Sequence, residues 1–339
     1  MKILFCTDGS RQSENAVRFG ARIAAACRAE SSVLGIVEKN GREDALHQAL
    51  LRAQAILKEH RLDVELIAGS GTPAPEIIKY TEENRYDMVV IGAPCRSPFW
   101  NLLAPRWIAP MNAYTVIECA EPPVMVVFCD HPRLRRILLC TNGRDYGDKA
   151  IEFAGKIARS IGAVVNLFYV MPEPPAMYAD IIRLEQDSHR LIESNSKPGR
   201  VLRRQKDLLE DMGVFGEIRL RHGYMTPQLQ KELRQTRYDL VISGSRQTGD
   251  KTRKYVVGEV TREMINRAEI PILIIRSGHG PARLFKTAMD VLLKPFRKAP
   301  DHRQPMQKNR AIQPVLHSSQ GIGQPLVREQ DIGHRSMNH

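Results

Sequence analysis

The chain has 339 residues, of which 42% are hydrophobic and 26% charged. These are globular proportions in a length that accommodates two domains and an appendage, and they exclude a fibrous repeat, a disulfide miniprotein and a chain disordered throughout. The net charge of +12 is uneven, because from Ser277 onward ten basic residues face only four acids.

The elements alternate from the start. Ile3 to Cys6 is a short apolar run that ends in a Thr7-Asp8-Gly9-Ser10 turn, the pattern of a buried strand feeding a helix. Residues 13–29 then carry helical spacing, with Ala16, Phe19 and Ile23 on one face. Strands are predicted at 33–37, 64–68, 88–92 and 124–128, and helices at 43–60, 75–84 and 107–119. Pro75 falls near a helix start, where a missing N–H does no harm. A second series follows, with strands at 137–140, 164–169, 217–221, 240–243 and 272–275. It carries an insertion at about 171–199 with a helix around 181–194. Residues 282–293 still show an apolar stripe, and beyond Pro295 the Gln-, Pro-, His-, Ser- and Gly-rich tail is expected to be disordered.

The two series are copies. Lys2-Ile3-Leu4-Phe5-Cys6-Thr7-Asp8-Gly9 returns as Arg136-Ile137-Leu138-Leu139-Cys140-Thr141-Asn142-Gly143. Ala16, Phe19 and Ile23 return as Ala150, Phe153 and Ile157. Arg85-Tyr86-Asp87 returns as Arg237-Tyr238-Asp239, and Glu121-Pro122-Pro123-Val124 is answered by Glu269-Ile270-Pro271-Ile272. Matched blocks in one order mark a tandem duplication. Domains are expected at 1–130 and 135–276, with a basic tail at 277–339. The strands are apolar on both faces, so each unit reads as α/β, a doubly wound parallel sheet between helix layers.

The Ile-Leu-x-Cys-Thr-Asp/Asn-Gly opening, the Gly71-Thr72-Pro73 loop (Gly223 to Pro227 in the second unit), the Tyr-Asp-x-Val strand and the Pro-x-x-Val/Ile closing strand together resemble the universal stress protein family in a tandem form. The resemblance implies five strands per domain in the order 3-2-1-4-5, a Rossmann-like (HUP) architecture, and pairing of the units across their last strands. The pair would be an intramolecular pseudo-dimer, with a homodimer as the alternative. It also implies, for the ATP-binding members, an acid after the first strand and a Gly-x-x-Gly, nine residues, Gly-Ser/Thr cradle after the fourth. Backbone N–H groups and a helix N-terminus favour phosphate there.

On that pattern the first unit keeps Thr7, Asp8, Gly9, Val37 and Gly92, but its loop is degenerate: Pro94 and Pro98 remove donors and Phe99 and Trp100 add bulk. The second unit supplies Thr141, Asn142, Gly143 and Val170, then Gly244, Ser245, Arg246, Gly249, Lys251, Gly258 and Thr261. Asn142 replaces the acid, and Glu259 stands where the hydroxyl residue belongs. The second unit therefore reads either as a solvated loop left over from an ancestral site or as an altered site for ATP or another adenine nucleotide.

The histidines lack metal-ligand spacing, and no metal, catalytic elbow or P-loop is expected. The six cysteines are scattered in apolar stretches without a C-x-x-C and read as reduced core thiols. No run approaches the roughly 20 residues of a bilayer span and no signal peptide is seen, so a cytoplasmic location is expected. No pattern of aromatics with arginines accompanies the charge, so nucleic-acid binding is not expected. A non-catalytic stress-response module is the leading expectation. The rivals are a slow ATP hydrolase or nucleotidyl-transfer enzyme, and an adaptor whose basic 282–298 segment meets a protein partner or, weakly, anionic lipid.

Overall fold

The computed structural model describes residues 1–37, 43–94, 111–143, 148–172, 188–246, 259–267 and 269–277. In the first unit β1 (Lys2–Thr7), α1 (Arg11–Ala26), β2 (Glu30–Val37), α2 (Glu43–Glu59), β3 (Val64–Ser70), α3 (Pro73–Glu83), β4 (Met88–Gly92), α4 (Met111–Cys119) and β5 (Val124–Val127) follow one another. The second unit has β6 (Arg136–Thr141), α5 (Asp148–Ile161), β7 (Val164–Met171), α6 (Ser188–Glu193), α7 (Lys197–Asp211), β8 (Phe215–His222), α8 (Met225–Gln235), β9 (Leu240–Arg246), α9 (Glu259–Arg267) and β10 (Ile272–Ser277).

Every predicted strand is present. The ten form one sheet, ordered β3-β2-β1-β4-β5-β10-β9-β6-β7-β8. Each half thus runs 3-2-1-4-5, parallel throughout, with Ile3 beside both Ser31 and Met88 and, in the second half, Ile137 beside both Val165 and Leu240. The halves meet where β5 and β10 pair antiparallel, Met125 opposite Leu273. Strands covered on both faces explain the unbroken apolar runs: Ile3, Phe5, Ile137 and Leu139 pack under α1, α2, α5 and α7, while Leu4, Val89, Leu138 and Val241 pack under α3, α4, α8 and α9. The first of these cores crosses the junction, where α1 packs against α5.

Helix ends are where the apolar pattern misleads. The spacing carries a helix to residue 29, yet α1 stops at Ala26 because Arg28 turns left-handed (φ 49°). Arg28 N–H then donates to the Ala25 carbonyl (3.1 Å) and Ala29 N–H to that of Ala24 (2.8 Å), which closes the helix with buried Ala29 beneath it. The same closure ends α2 at Arg61, α5 at Gly162 and α7 at Gly213. The duplicated halves have arginine at two of these turns and glycine at the other two. A Cβ on Gly213 meets nothing within 4 Å. Gly213→Ala is therefore expected to cost about 1 kcal/mol in chemical denaturation, from backbone strain alone.

The helix predicted at 107–119 is described from Met111 and the one at 181–194 from Ser188; their earlier residues, and the segment 282–293, lie outside the described residues. One thiol expectation is corrected: Cys129 is disulfide-bonded. Cys6, Cys27, Cys119 and Cys140 are free, and burial pushes the Cys140 thiol up to about 12, out of reach of reactive thiolate chemistry.

Candidate functional site

In a 3-2-1-4-5 sheet the strand order reverses between β1 and β4, the chain running one way from β1 to β2 and the other way from β4 to β5, which opens a crevice at the carboxyl ends of β1 and β4. In the first unit this crevice holds a cavity of about 110 Å³. Thr7 and Asp8 approach it from β1, Ile36 from β2, Gly92 from β4, Ile77 from α3 and Val116 from α4. Ile36, rather than its neighbour Val37, lines the wall. The apolar residues from α3 and α4 were not singled out in the sequence, where they read only as core-facing helix positions.

The turn after β1 is built by its own side chains. Gly9 N–H donates to Thr7 Oγ1 (3.2 Å), and Gly9 takes a φ of 79°, natural only for glycine. Ser10 N–H donates to Asp8 Oδ1 (2.9 Å), while Ser10 Oγ caps α1 by accepting from Ser13 N–H (3.2 Å). Thr7 Oγ1 lies 3.1 Å from Ser13 Oγ. Desolvation works to raise the Asp8 carboxyl, but the hydrogen bonds from Ser10 and Ser13 outweigh it and hold the group below the usual carboxylate value. An ionised, exposed acceptor thus stands at the cavity mouth. Gly92 has a different reason to be glycine: a Cβ there would stand 2.5 Å from the Gln12 carbonyl carbon, so it lets α1 close onto β4.

The second unit repeats the turn with altered surroundings. Gly143 (φ 64°) donates its N–H to Thr141 Oγ1 (3.3 Å). Thr141 Oγ1 donates in turn to Gln205 Oε1 (2.9 Å), and Gln205 is fully buried. A Cβ at Gly143 would meet the Tyr169 ring at 2.9 Å, so an aromatic side chain leans on this turn. Asn142 is exposed, Val170 lies half-buried at the end of β7, and Gly244, Ser245 and Arg246 end β9, pairing with Ile275, Arg276 and Ser277 of β10. Thr261 is buried in α9. Gly249, Lys251 and Gly258 lie outside the described residues, as does the first-unit loop from Cys95. Among the described residues no group of three or more metal-ligating side chains could hold an ion.

The repeated Tyr-Asp pair has a structural task at the opposite end of the sheet. Asp87 Oδ2 accepts from Lys2 N–H (2.7 Å), and Asp239 Oδ2 accepts from the N–H groups of Arg135 (2.8 Å) and Arg136 (3.1 Å), anchoring the start of β1 and β6.

The family model described as "Universal stress protein family" matches residues 1–127 and again 133–276. The chain belongs to the universal stress protein family. Among solved structures it is similar to a universal stress protein from Archaeoglobus fulgidus (TM-score 0.61, 17% identity, covering 82% of this chain and 98% of that one). It is also similar to a putative universal stress protein from Pseudomonas aeruginosa (TM-score 0.62, 13% identity, covering 86% and 96%). At such identities the likeness is one of fold. No curated protein matches the chain. No described helix is long and apolar enough to cross a membrane.

Proposed function

We propose that this universal stress protein is a cytoplasmic, non-catalytic regulatory module that holds an adenine nucleotide in the crevice at the ends of β1 and β4. The observation that supports this reading most is the cavity beneath Asp8, apolar on the helix side and edged by a charged acceptor. That combination suits a nucleoside, with a flat base among Ile36, Ile77 and Val116 and sugar hydroxyls donating to the carboxylate. The cavity is too small for a whole triphosphate nucleotide, so the phosphates would project past Gly92 at the end of β4.

A second reading places the nucleotide in the other unit. It is favoured by the cations Arg246, Lys251, Arg253 and Lys254 interspersed in the sequence with Gly244, Gly249 and Gly258, a composition that would suit phosphate. Calorimetric titration with ATP and with adenosine separates the two. Asp8→Ala is expected to weaken binding about ten- to a hundredfold, the loss of hydrogen bonds to a charged group, and Gly258→Glu to leave it unchanged. The reverse result selects the second unit. No heat from the unaltered protein with either ligand defeats both readings, and phosphate release above a boiled control replaces them with an enzyme.

A further inference from the structure

A separate concavity, of about 680 Å³, opens at the other end of the sheet, where the units are joined. Arg22 and Ala26 enter it from the last turns of α1, Arg133 and Arg135 from the connector before β6, and Ser160 and Ile161 from the end of α5. Three arginines therefore line one space, and no acid lines it among the described residues. Arg22 is held in place: its Nη2 donates to the His131 carbonyl, and its guanidinium lies over the Phe19 ring, 5.2 Å from the centroid. Desolvation lowers its pKa, and the nearby charges of Asp130 and Asp239 act against that shift. Asp239 is already engaged by two backbone N–H groups. The guanidinium groups of Arg133 and Arg135, both exposed, have neither a hydrogen-bond nor an ion-pair partner among the described residues.

The opposing field falls mainly on Arg22, from the Asp130 and Asp239 carboxylates and from the C-termini of α1 and α5, each worth about −0.5 of a charge. Arg133 and Arg135 are left exposed beside it. What remains is an arginine-lined bowl of a volume usual for small-ligand sites, with Arg22 held in place and two arginines free to close on a ligand. Arginine is the side chain that presents two parallel N–H donors to an oxyanion.

We propose that this bowl binds a small polyanion bearing two or more phosphate or carboxylate groups, gripped by Arg22, Arg133 and Arg135. Such a ligand touches α1, α5 and the connector at once, so it braces the two units against each other. The site is at the opposite end of the strands from the nucleotide crevice and does not depend on it.

The test is calorimetry on the full chain with sodium tripolyphosphate, citrate and orthophosphate as separate probes, at 50 and 300 mM salt. Tripolyphosphate or citrate is expected to bind more tightly than orthophosphate and to weaken at the higher salt. The tighter of the two probes identifies the oxyanion chemistry. Arg133→Gln/Arg135→Gln, confined to exposed side chains, is expected to reduce affinity at least tenfold, and Asp8→Ala to leave it unchanged. Saturating probe should also slow amide exchange across residues 128–136. The proposal is overturned by the absence of heat with every probe. It is equally overturned by unchanged affinity in the double arginine variant, which would move the binding to the basic tail, or by loss of affinity in Asp8→Ala, which would move it to the crevice.

Discussion

Glu232→Ala is expected to lower stability by about 3 kcal/mol in urea denaturation, the loss typical when one partner leaves a buried ionic cluster. Glu232 is fully buried in α8. Its Oε1 accepts from Tyr238 OH (2.9 Å) and faces Arg219 Nε (3.3 Å), and its Oε2 accepts from Arg221 Nε (3.1 Å). Removing the carboxylate leaves two arginines of β8 facing each other beneath α8. They are 35% and 22% exposed, so water relieves part of the penalty, which holds the loss to the lower end of the range for buried pairs.

The first unit shows what an apolar version of this cluster looks like. There Tyr80 stands where Glu232 does, its ring 5.9 Å from that of Tyr86, while Ile67 and Gly69 occupy the places of Arg219 and Arg221. Arg219→Ile/Arg221→Ala/Glu232→Tyr is accordingly expected to recover most of the loss, since well-packed apolar replacements of buried ion pairs are often neutral. A triple variant no more stable than Glu232→Ala would show that the cluster contributes more than charge balance.

The cluster also sets an acid dependence. Desolvation works to raise the Glu232 carboxyl, but hydrogen bonds from Arg221 and Tyr238 and the charges of Arg219 and Arg221 prevail and lower it. A group whose folded value is depressed gives its full stabilisation above the unfolded value, about 4.3 for glutamate, and loses it as pH falls through the folded value. The stability gap between the unaltered protein and Glu232→Gln is therefore expected to be constant at neutral pH and to shrink below about pH 4.

Leu273→Ala is expected to cost about 2–5 kcal/mol, because Leu273 is fully buried and pairs with the equally buried Met125 across the junction. The location of the loss matters more than its size. The sheet runs unbroken through β5 and β10, and one core lies under α1 and α5 together. Both units are thus expected to unfold in a single transition that shifts as a whole. Amide exchange should show β1 and β6 losing protection in parallel. A first unit that unfolds at its original midpoint while the second melts early would show that the junction couples them only weakly.

The strand set was legible in the sequence because burial on both faces leaves a run such as Ile3 to Phe5, or Ile137 to Leu139, no polar position to hide. The duplication made the second half readable from the first. Helix ends were less legible, because the stop at Arg28 is a backbone event that the apolar spacing of α1 does not record. The crevice was half legible. Thr7, Asp8 and Gly92 follow from their place at strand ends, whereas Ile36, Ile77 and Val116 become a cavity wall only once α3 and α4 lie across the sheet. The arginine bowl was invisible for the same reason: Arg22 and Arg133 are 111 positions apart and meet only when the connector crosses the base of α1.

In an assembly of two identical subunits, every substitution appears twice and must be tolerated on both sides of the symmetry axis. Here β5 and β10 re-create that axis inside one polypeptide. A change in one lobe has no obligatory twin, and the outcomes are visible side by side: arginine against glycine at equivalent turns, a tyrosine pair against a carboxylate cluster, Asp8 against Asn142. Covalent fusion also fixes a one-to-one ratio of lobes at any concentration, so each is free to specialise while its neighbour preserves the scaffold.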